Sequence, residues 1–406
     1  MIIVNPNHRN PSPQSAIEPP IWCAYLAGYL KADKILDAEV EGWSSWETVA
    51  QIGKEKSVLV AMGANPSASS TPKMGIVGEL YYRLIKTPKI MGLHHQAVTQ
   101  KGYCMPIPSP EQLCELVPRW DLIDFSKYKA HNWHCLNGSD RSNYGVIYTS
   151  FGCPFSCSYC NIHTLYKGVT YREPQDVGEE IDYLVSKGVK NLKIADELFT
   201  ISPSHVYQIC DVLEGKNLNV WAYAKVGLVQ PEMLKRMKQV GINWLAYGFE
   251  SANEDVLKGI GKKQSTEDMM RATEMTKEAG ISVLGNFIFG LPDDDLKSMR
   301  ETLDFAEELK CEYVNFYCAM AYPGSQLYED TPKEDLPDKW EDYDQYSPNL
   351  KPLPTKYLTS KEVLEFRDRA FQEYFSREDY LKMIQKKYGK QAVIQIQEML
   401  EWTPRP

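Results

Sequence analysis

The stretch Tyr144-Gly-Val-Ile-Tyr-Thr-Ser-Phe-Gly-Cys-Pro-Phe-Ser-Cys-Ser-Tyr-Cys160 joins a β-rich run directly to three closely spaced cysteines. The run 144–150 is rich in aromatic and β-branched residues, which predicts a strand. Cys153, Cys157 and Cys160 follow it with the spacing CxxxCxxC. One loop can present three such thiolates together. A strand that leads into a loop of this kind is typical of α/β folds with chemistry at the carboxyl ends of parallel strands.

The three cysteines suit an iron–sulfur cube in which one corner is left open. Four cysteines are the usual ligands of a 4Fe–4S cluster, so three leave one iron free to bind another molecule. The alternative is a structural zinc site, for which His134, Cys135 or His163 could supply the fourth ligand. The chain has no second CxxC motif, and the motifs further along the chain favour the cluster.

Residues 144–323 alternate β-rich runs with amphipathic helical runs, which is the pattern of βα units around a parallel sheet. The predicted strands are 144–150, 191–195, 220–226, 244–249, 282–289 and 313–319. The predicted helices between them are 175–187, 204–215, 231–240, 265–279 and 296–309. Six such strands predict an α/β fold with a partial (β/α)6 TIM-like barrel.

The rest of the chain divides into three parts. Residues 1–105 predict a small doubly wound, Rossmann-like domain, with strands at 2–5, 34–39, 57–61 and 89–92 and helices at 22–31, 46–54 and 75–86. Residues 106–143 form a linker and bridge into the barrel, which spans 144–323. Residues 324–406 predict a helical C-terminal extension, with helices at 360–375, 378–388 and 391–401.

Composition restricts the partners and the compartment. The 406 residues carry a formal net charge of −9, which argues against a nucleic-acid partner and favours a small-molecule substrate. The longest apolar stretch, 21–30, is about half the length of a membrane span, so we expect no membrane insertion. Ten cysteines without a disulfide-scaffold pattern indicate a reducing cytoplasm.

Further segments with polar residues end the later predicted strands. They are Ala195-Asp-Glu-Leu-Phe199, Lys225 after Val220-Trp-Ala-Tyr-Ala224, Gly248-Phe-Glu-Ser251, Gly285-Asn-Phe-Ile-Phe-Gly-Leu-Pro292 and Tyr322-Pro-Gly-Ser325. In this order behind CxxxCxxC, they resemble the motifs of the radical SAM family. In that family the open iron binds S-adenosylmethionine (SAM), and one electron from the cluster cleaves SAM to methionine and a 5′-deoxyadenosyl radical. The resemblance implies an enzyme with both cofactors, served by an electron donor such as a flavodoxin or ferredoxin.

The resemblance also implies roles for residues near the cluster loop. Tyr159 resembles the aromatic residue that family members place beside adenine. Asp196 or Glu197 would accept hydrogen bonds from the SAM ammonium group, a charge-assisted contact. Lys225 stands where related sequences more often carry arginine and would balance a carboxylate without the bidentate fork.

Two later strand ends complete the predicted SAM site. Glu250 with Ser251 resembles the family's contact to the ribose hydroxyls and to methionine. Asn286 belongs to the segment that resembles the one packing adenine with backbone groups.

The N-terminal half resembles the radical SAM subgroup that carries a cobalamin-binding domain. The matching segments are residues 18–30, Pro118-Arg-Trp-Asp-Leu-Ile-Asp124 and Ala130-His-Asn-Trp-His-Cys135. The domain here is short, and Gly92-Leu-His-His-Gln96 stands where the subgroup often shows Gly-Gly-Pro-His. A shortened sheet offers less surface to a corrin ring, so cobalamin is left as an open alternative.

Two functions follow from these patterns. The first is hydrogen-atom abstraction by the 5′-deoxyadenosyl radical from a small organic substrate, such as a sugar or secondary metabolite. The N-terminal domain would then have lost cobalamin and would enclose the substrate with the loops 5–9, 63–70 and 94–96. The alternative is a cobalamin-dependent radical SAM C-methyltransferase.

Overall fold

The fold contains two parallel sheets and confirms the predicted α/β class. A computed structural model describes residues 1–7, 15–61, 89–91, 108–345 and 347–401. The loops 63–70 and 94–96 and the predicted helix 75–86 lie outside these described residues. No helix in the described part of the chain is long and apolar enough to cross a membrane.

The N-terminal sheet is a small doubly wound layer. Its strands are β1 (Ile2–Asn5), β2 (Lys34–Asp37), β3 (Val58–Ala61) and β4 (Lys89–Met91). All pair in parallel in the order β2-β1-β3-β4. The connecting helices are α1 (Ile21–Leu30) and α2 (Ser45–Ile52). This strand order reverses direction between β1 and β3, as in flavodoxin-like sheets.

The barrel begins with a bridge and a cysteine-bearing hairpin. Helix α3 (Pro110–Glu115) precedes the first barrel strand, β5 (Tyr144–Ile147). The short strands β6 (Ser150–Phe151) and β7 (Thr170–Tyr171) then pair antiparallel. This hairpin, which the sequence patterns did not predict, encloses the three cysteines at the carboxyl end of β5.

The six barrel strands form one open parallel sheet in the order β12-β11-β10-β9-β8-β5. The remaining strands are β8 (Asn191–Ile194), β9 (Asn219–Ala224), β10 (Ile242–Glu250), β11 (Ser282–Phe289) and β12 (Tyr313–Cys318). The helices alternating with them are α4 (Pro174–Ser186), α5 (Pro203–Leu213), α6 (Pro231–Gln239), α7 (Glu254–Gly259), α8 (Thr266–Glu278) and α9 (Leu296–Leu309). The partial (β/α)6 barrel is thus confirmed.

The C-terminal extension packs on the β12 edge of the barrel. Its helices are α10 (Gln326–Asp330), α11 (Ser360–Ser376), α12 (Glu378–Tyr388) and α13 (Lys390–Glu401). The hydroxyl of Tyr374 donates to the carbonyl oxygen of Cys311 at 2.9 Å, and that of Tyr380 donates to the carbonyl oxygen of Glu312 at 3.0 Å. These contacts fasten α11 and α12 to the two residues just before β12, which is an edge strand of the barrel sheet.

Helix α1 joins the N-terminal domain to the first barrel strand. Trp22 and Tyr25 are fully buried, and their rings lie 6.2 and 6.4 Å from that of Tyr148, just after β5. Nearly the whole helix is apolar, so it is buried on more than one face. The two sheets therefore share one hydrophobic core. The division of the chain at residues 105, 143 and 323 stays a prediction.

Candidate active site

The three cysteines lie on one loop at the mouth of the barrel. Cys153, Cys157 and Cys160 are all partly exposed, and the Cys160 N–H donates to the carbonyl oxygen of Cys157 at 3.0 Å. The Ser158 N–H donates to the carbonyl oxygen of Ile260 at 3.0 Å, which holds the cysteine loop against the residue that follows α7. Burial raises the pKa of the Cys160 thiol to about 12. A metal centre would supply the positive charge that such a thiol needs to ionise.

The zinc alternative does not fit this arrangement. Within the described residues, no three His, Cys, Asp or Glu side chains come close enough to hold one metal ion. His134 lies at the amino-terminal end of the strands, where its carbonyl oxygen accepts from Asn219, the first residue of β9. His163 contacts the carbonyl oxygen of Phe155 through Nε2 at 2.7 Å. That Cys153, Cys157 and Cys160 hold an iron–sulfur cube stays a prediction.

Asp196 holds strand ends together. Its Oδ1 accepts from the Thr149 N–H, and its Oδ2 accepts from the hydroxyls of Thr149 and Ser150, all at 2.6 Å. The side chain is fully buried, and the Thr149 hydroxyl also contacts His205 Nε2 at 2.8 Å. Burial raises the pKa of Asp196, while these hydrogen bonds oppose the rise. Both carboxylate oxygens are therefore occupied by the end of β5.

Glu197, the residue after Asp196, has one carboxylate oxygen that accepts no hydrogen bond from the described residues. Its Oε2 accepts from the Gly152 N–H at 2.8 Å. Its Oε1 is buried without a hydrogen-bond partner in the described part of the chain. Burial raises the pKa of Glu197 to about 8. A buried acceptor left unsatisfied is costly, and a bound ammonium group would satisfy it. Of the two carboxylates predicted to hold SAM, the geometry therefore favours Glu197.

Glu250 lies in a buried polar triad at the end of β10. Its Oε1 accepts from the Tyr159 hydroxyl at 2.9 Å and from Lys262 Nζ at 2.6 Å. Lys262 Nζ also donates to the carbonyl oxygen of Gly248 at 2.6 Å. Glu250 has a φ of +65°, which is uncommon for a residue with a side chain. Sequence reasoning missed Lys262, because it lies in a polar loop without a recognisable motif.

Lys225 lies between this triad and the cysteine loop. Its Nζ is 4.9 Å from the ring centroid of Phe155, which is within the loop. Burial lowers the pKa of Lys225, and the charge of Lys262 acts in the same direction. Two lysines thus lie near Glu250.

The other two predicted contacts are engaged with the protein. The hydroxyl of Ser251, fully buried, lies 3.1 Å from that of Thr302 and accepts from the Asn253 N–H at 3.1 Å. Asn286 Nδ2 donates to the carbonyl oxygen of Tyr247 at 3.1 Å, and its Oδ1 accepts from Asn315 at 3.0 Å. Asn286 is partly exposed, whereas Ser251 is closed off. Their roles toward SAM stay predictions.

A cysteine loop and strand-end carboxylates at the mouth of a partial parallel barrel define a class of iron–sulfur enzyme. Residues 147–306 match the profile of the Radical SAM superfamily. The barrel therefore contains a radical SAM domain, which implies an enzyme that uses a 4Fe–4S cluster and SAM as cofactors.

Curated relatives and solved structures extend the similarity beyond the barrel. The chain is 28% identical over 360 residues to an uncharacterized methyltransferase of Pyrococcus horikoshii, covering 81% of this chain and 75% of the relative. It is 24% identical to the anaerobic magnesium-protoporphyrin IX monomethyl ester cyclase of Rubrivivax gelatinosus, covering 87% of this chain and 73% of the relative.

The fold is similar to that of the radical SAM methyltransferase TsrM from Kitasatospora setae, solved with cobalamin and a 4Fe–4S cluster bound. The TM-score is 0.60 at 17% identity, covering 80% of this chain and 76% of that structure. The cobalamin-dependent radical enzyme OxsB gives a TM-score of 0.55 at 15% identity, covering 76% of this chain and 52% of that structure. At these identities the likenesses concern the fold alone.

Proposed function

We propose that the chain is a cobalamin-dependent radical SAM C-methyltransferase that acts on a small organic substrate. The observation that carries the proposal is the parallel sheet ordered β2-β1-β3-β4, which packs beside a radical SAM barrel through α1. In open α/β sheets of this order, ligands bind outside the carboxyl ends of the strands where the order reverses, here between β1 and β3.

The carboxyl ends of β1 and β2, beside the point where the strand order reverses, are held by buried hydrogen bonds. Asn5 Nδ2 donates to Asp37 Oδ1 at 2.7 Å, and the Tyr128 hydroxyl donates to Asp37 Oδ2 at 2.8 Å. These contacts lock the ends of β1 and β2 to the bridge that leads into the barrel. The loops after β3 and β4 lie outside the described residues, and the proposal does not depend on their conformation.

The relatives support methyl transfer over hydrogen abstraction alone. The Pyrococcus horikoshii relative, similar over most of both chains, is named a methyltransferase. Another relative, the bacteriochlorophyllide d C-12(1)-methyltransferase of Chlorobaculum tepidum, is 26% identical over 248 residues. The sequence patterns favour hydrogen abstraction, with methylation as the alternative. The alternative is now the better supported function.

The residues at the mouth would share the work of holding the cofactors. When bound, a 4Fe–4S cluster and SAM supply the radical chemistry of this family. Cys153, Cys157 and Cys160 would hold the cluster, and Glu197 Oε1 would accept hydrogen bonds from the SAM ammonium group. Lys262 and Tyr159 hold the Glu250 carboxyl group in place at the end of β10. We include an electron donor such as a flavodoxin or ferredoxin in the proposal.

Anaerobic reconstitution with hydroxocobalamin tests the function. We expect about one corrinoid to remain bound per chain after gel filtration, seen in its visible spectrum. With a competent substrate, S-adenosylhomocysteine should accumulate together with 5′-deoxyadenosine. Protein that cleaves SAM to 5′-deoxyadenosine alone and retains no corrinoid would instead support hydrogen abstraction.

A further inference from the structure

The half of the barrel nearest the carboxyl ends of its strands encloses an interior space, the lumen, which is accessible from the mouth. On β9, β11 and β12, partly exposed residues alternate with buried ones, as expected when one face of each strand lines an open space. The lining residues are Tyr223, Lys225, Asn286, Ile288, Asn315 and Tyr317. Below them the barrel is filled: the ring of Trp133 lies 5.2 Å from those of both Trp221 and Trp244.

Tyr223 lies at the boundary between the filled and open parts. In register it pairs with Ala246 on β10, which in turn pairs with Leu284 on β11. Because these neighbours carry small or aliphatic side chains, the Tyr223 hydroxyl is the polar group that this layer of β9–β11 offers to the lumen. Its ring lies 5.1 Å from that of Trp221. No hydrogen-bond partner for this hydroxyl is present among the described residues.

A buried ion pair lies beside Trp221, the same-face neighbour of Tyr223 on β9, because Lys193 on β8 pairs in register with Trp221. Lys193 Nζ lies 2.8 Å from one oxygen of Glu18 and 2.9 Å from the other, and 5.1 Å from the ring centroid of Trp221. The two side chains are 6% and 15% exposed. Burial alone would raise the pKa of Glu18, but Lys193 and His131 lower it to about 2. The pair is therefore ionised and, taken together, neutral.

Three elements thus converge on one spot: β8 through Lys193, β9 through Tyr223, and the segment before α1 through Glu18. Burial raises the pKa of the Tyr223 hydroxyl, and the charge of Glu197, the carboxylate with the unpaired oxygen, acts in the same direction. A group held by Tyr223 would accordingly lie in the lumen close to the end of the site where SAM is proposed to bind.

We propose that the Tyr223 hydroxyl, beside the Lys193–Glu18 ion pair, is a substrate-binding group that selects an uncharged hydrogen-bonding group such as an amide, hydroxyl or ring N–H. A phenol can both donate and accept. The ion pair beside Tyr223 already neutralises itself and offers no counter-charge to an ionised group, which makes burial of such a group there costly. Lys225, the next lumen residue along the chain, holds its ammonium group over the ring of Phe155 in the cysteine loop. The inference rests on the proposed function, because it assumes that the lumen receives the substrate.

Matched neutral and anionic probes test the inference. Benzamide and benzoate have nearly the same shape and differ in charge at neutral pH. Their binding to the cluster-loaded, SAM-bound protein would be measured by anaerobic equilibrium dialysis. We expect benzamide to bind at least tenfold more tightly than benzoate. The Tyr223→Phe variant should bind benzamide about threefold to tenfold more weakly, whereas Tyr207→Phe, on the exposed face of α5, should bind it unchanged.

A variant that removes the negative charge of the ion pair gives an independent test. Glu18→Gln leaves the Lys193 cation without its carboxylate, so this variant should prefer benzoate. Its thermal unfolding is recorded in parallel, and Tyr223→Phe carries the test if Glu18→Gln does not fold. Tighter binding of benzoate than benzamide to the unaltered protein, unchanged binding in Tyr223→Phe, or no binding of either probe would overturn the inference. None of these readouts requires turnover or corrinoid, so failure here is distinguishable from failure of the proposed function.

Discussion

The Gly152 N–H donates to Glu197 Oε2 at 2.8 Å, so the cysteine loop and the carboxylate after β8 form one unit. Gly152 has a φ of +93°, and a Cβ there would lie 2.1 Å from the carbonyl oxygen of Gly168. Only glycine fits this position without displacing backbone. Because this bond occupies one oxygen of Glu197, the other is presented beside the loop, where a cation bound near the cluster would meet it.

Replacement of Cys157 by alanine should abolish both the cluster and SAM cleavage. The variant would keep only two of the three thiolates that hold the cluster, so the cluster would not be bound stably. The visible absorbance of the anaerobically reconstituted protein and the yield of 5′-deoxyadenosine measure the two effects. Cys114→Ala is the matched control, since Cys114 is also partly exposed but lies outside the motif. Retained SAM cleavage in Cys157→Ala would refute the cluster assignment.

The Glu197→Gln substitution should weaken SAM binding at least tenfold while the cluster is kept. The amide cannot offer a charge-assisted acceptor to the ammonium group, a loss of roughly 1.5–3 kcal/mol. Equilibrium dialysis with SAM measures the change, and Glu179→Gln, an exposed glutamate on α4, serves as the control. Asp196→Asn provides the contrast: it should reduce thermal stability, because its amide group would face hydroxyl donors. Equal SAM affinity in Glu197→Gln and the unaltered protein would contradict this assignment.

Lys262→Met should destabilise the fold strongly. Lys262 and Glu250 have side chains only 7% and 8% exposed, so the substitution leaves a buried carboxylate without its counter-charge. Breaking such a pair costs about 3–5 kcal/mol. Thermal unfolding compares this variant with Lys263→Met, the exposed neighbour, which should be nearly neutral. If both lysine variants unfold alike, the triad does not have the structural role we assign to it.

Asp37 should make the stability of the protein fall as the pH rises from about 4 to 7. Burial, with the charge of Glu39, raises its pKa from 3.8 to about 7, and hydrogen bonds from Tyr128 and Asn5 oppose the rise. The folded state therefore binds this proton more tightly than the unfolded state, so its stabilising effect is lost as the carboxyl ionises. Asp37→Asn mimics the neutral form. The stability of this variant relative to the unaltered protein should rise by about 3 kcal/mol between pH 5 and pH 8, seen as a growing difference in melting temperature. A constant difference across this range would argue against a raised pKa.

Much of the fold was predictable because the residues that determine each helix or strand are near neighbours in the chain. Hydrophobic periodicity and glycine positions predicted β11 (Ser282–Phe289) and α9 (Leu296–Leu309) with the bounds that the structure shows. The hairpin β6–β7 was missed, because each of its strands has only two residues. A strand that short carries no alternating pattern of its own.

The amino-acid sequence by itself determined the alternating βα architecture, the cysteine loop at a strand end and the carboxylates that follow it. Each of these depends on residues near one another in the chain. Only the tertiary structure decided that Asp196 is engaged by Thr149 while Glu197 keeps an oxygen in reserve. Only it brought Lys193 to Glu18, 175 residues away. Such pairings depend on how strands and loops pack in three dimensions, and neither partner carries a local sign of the other.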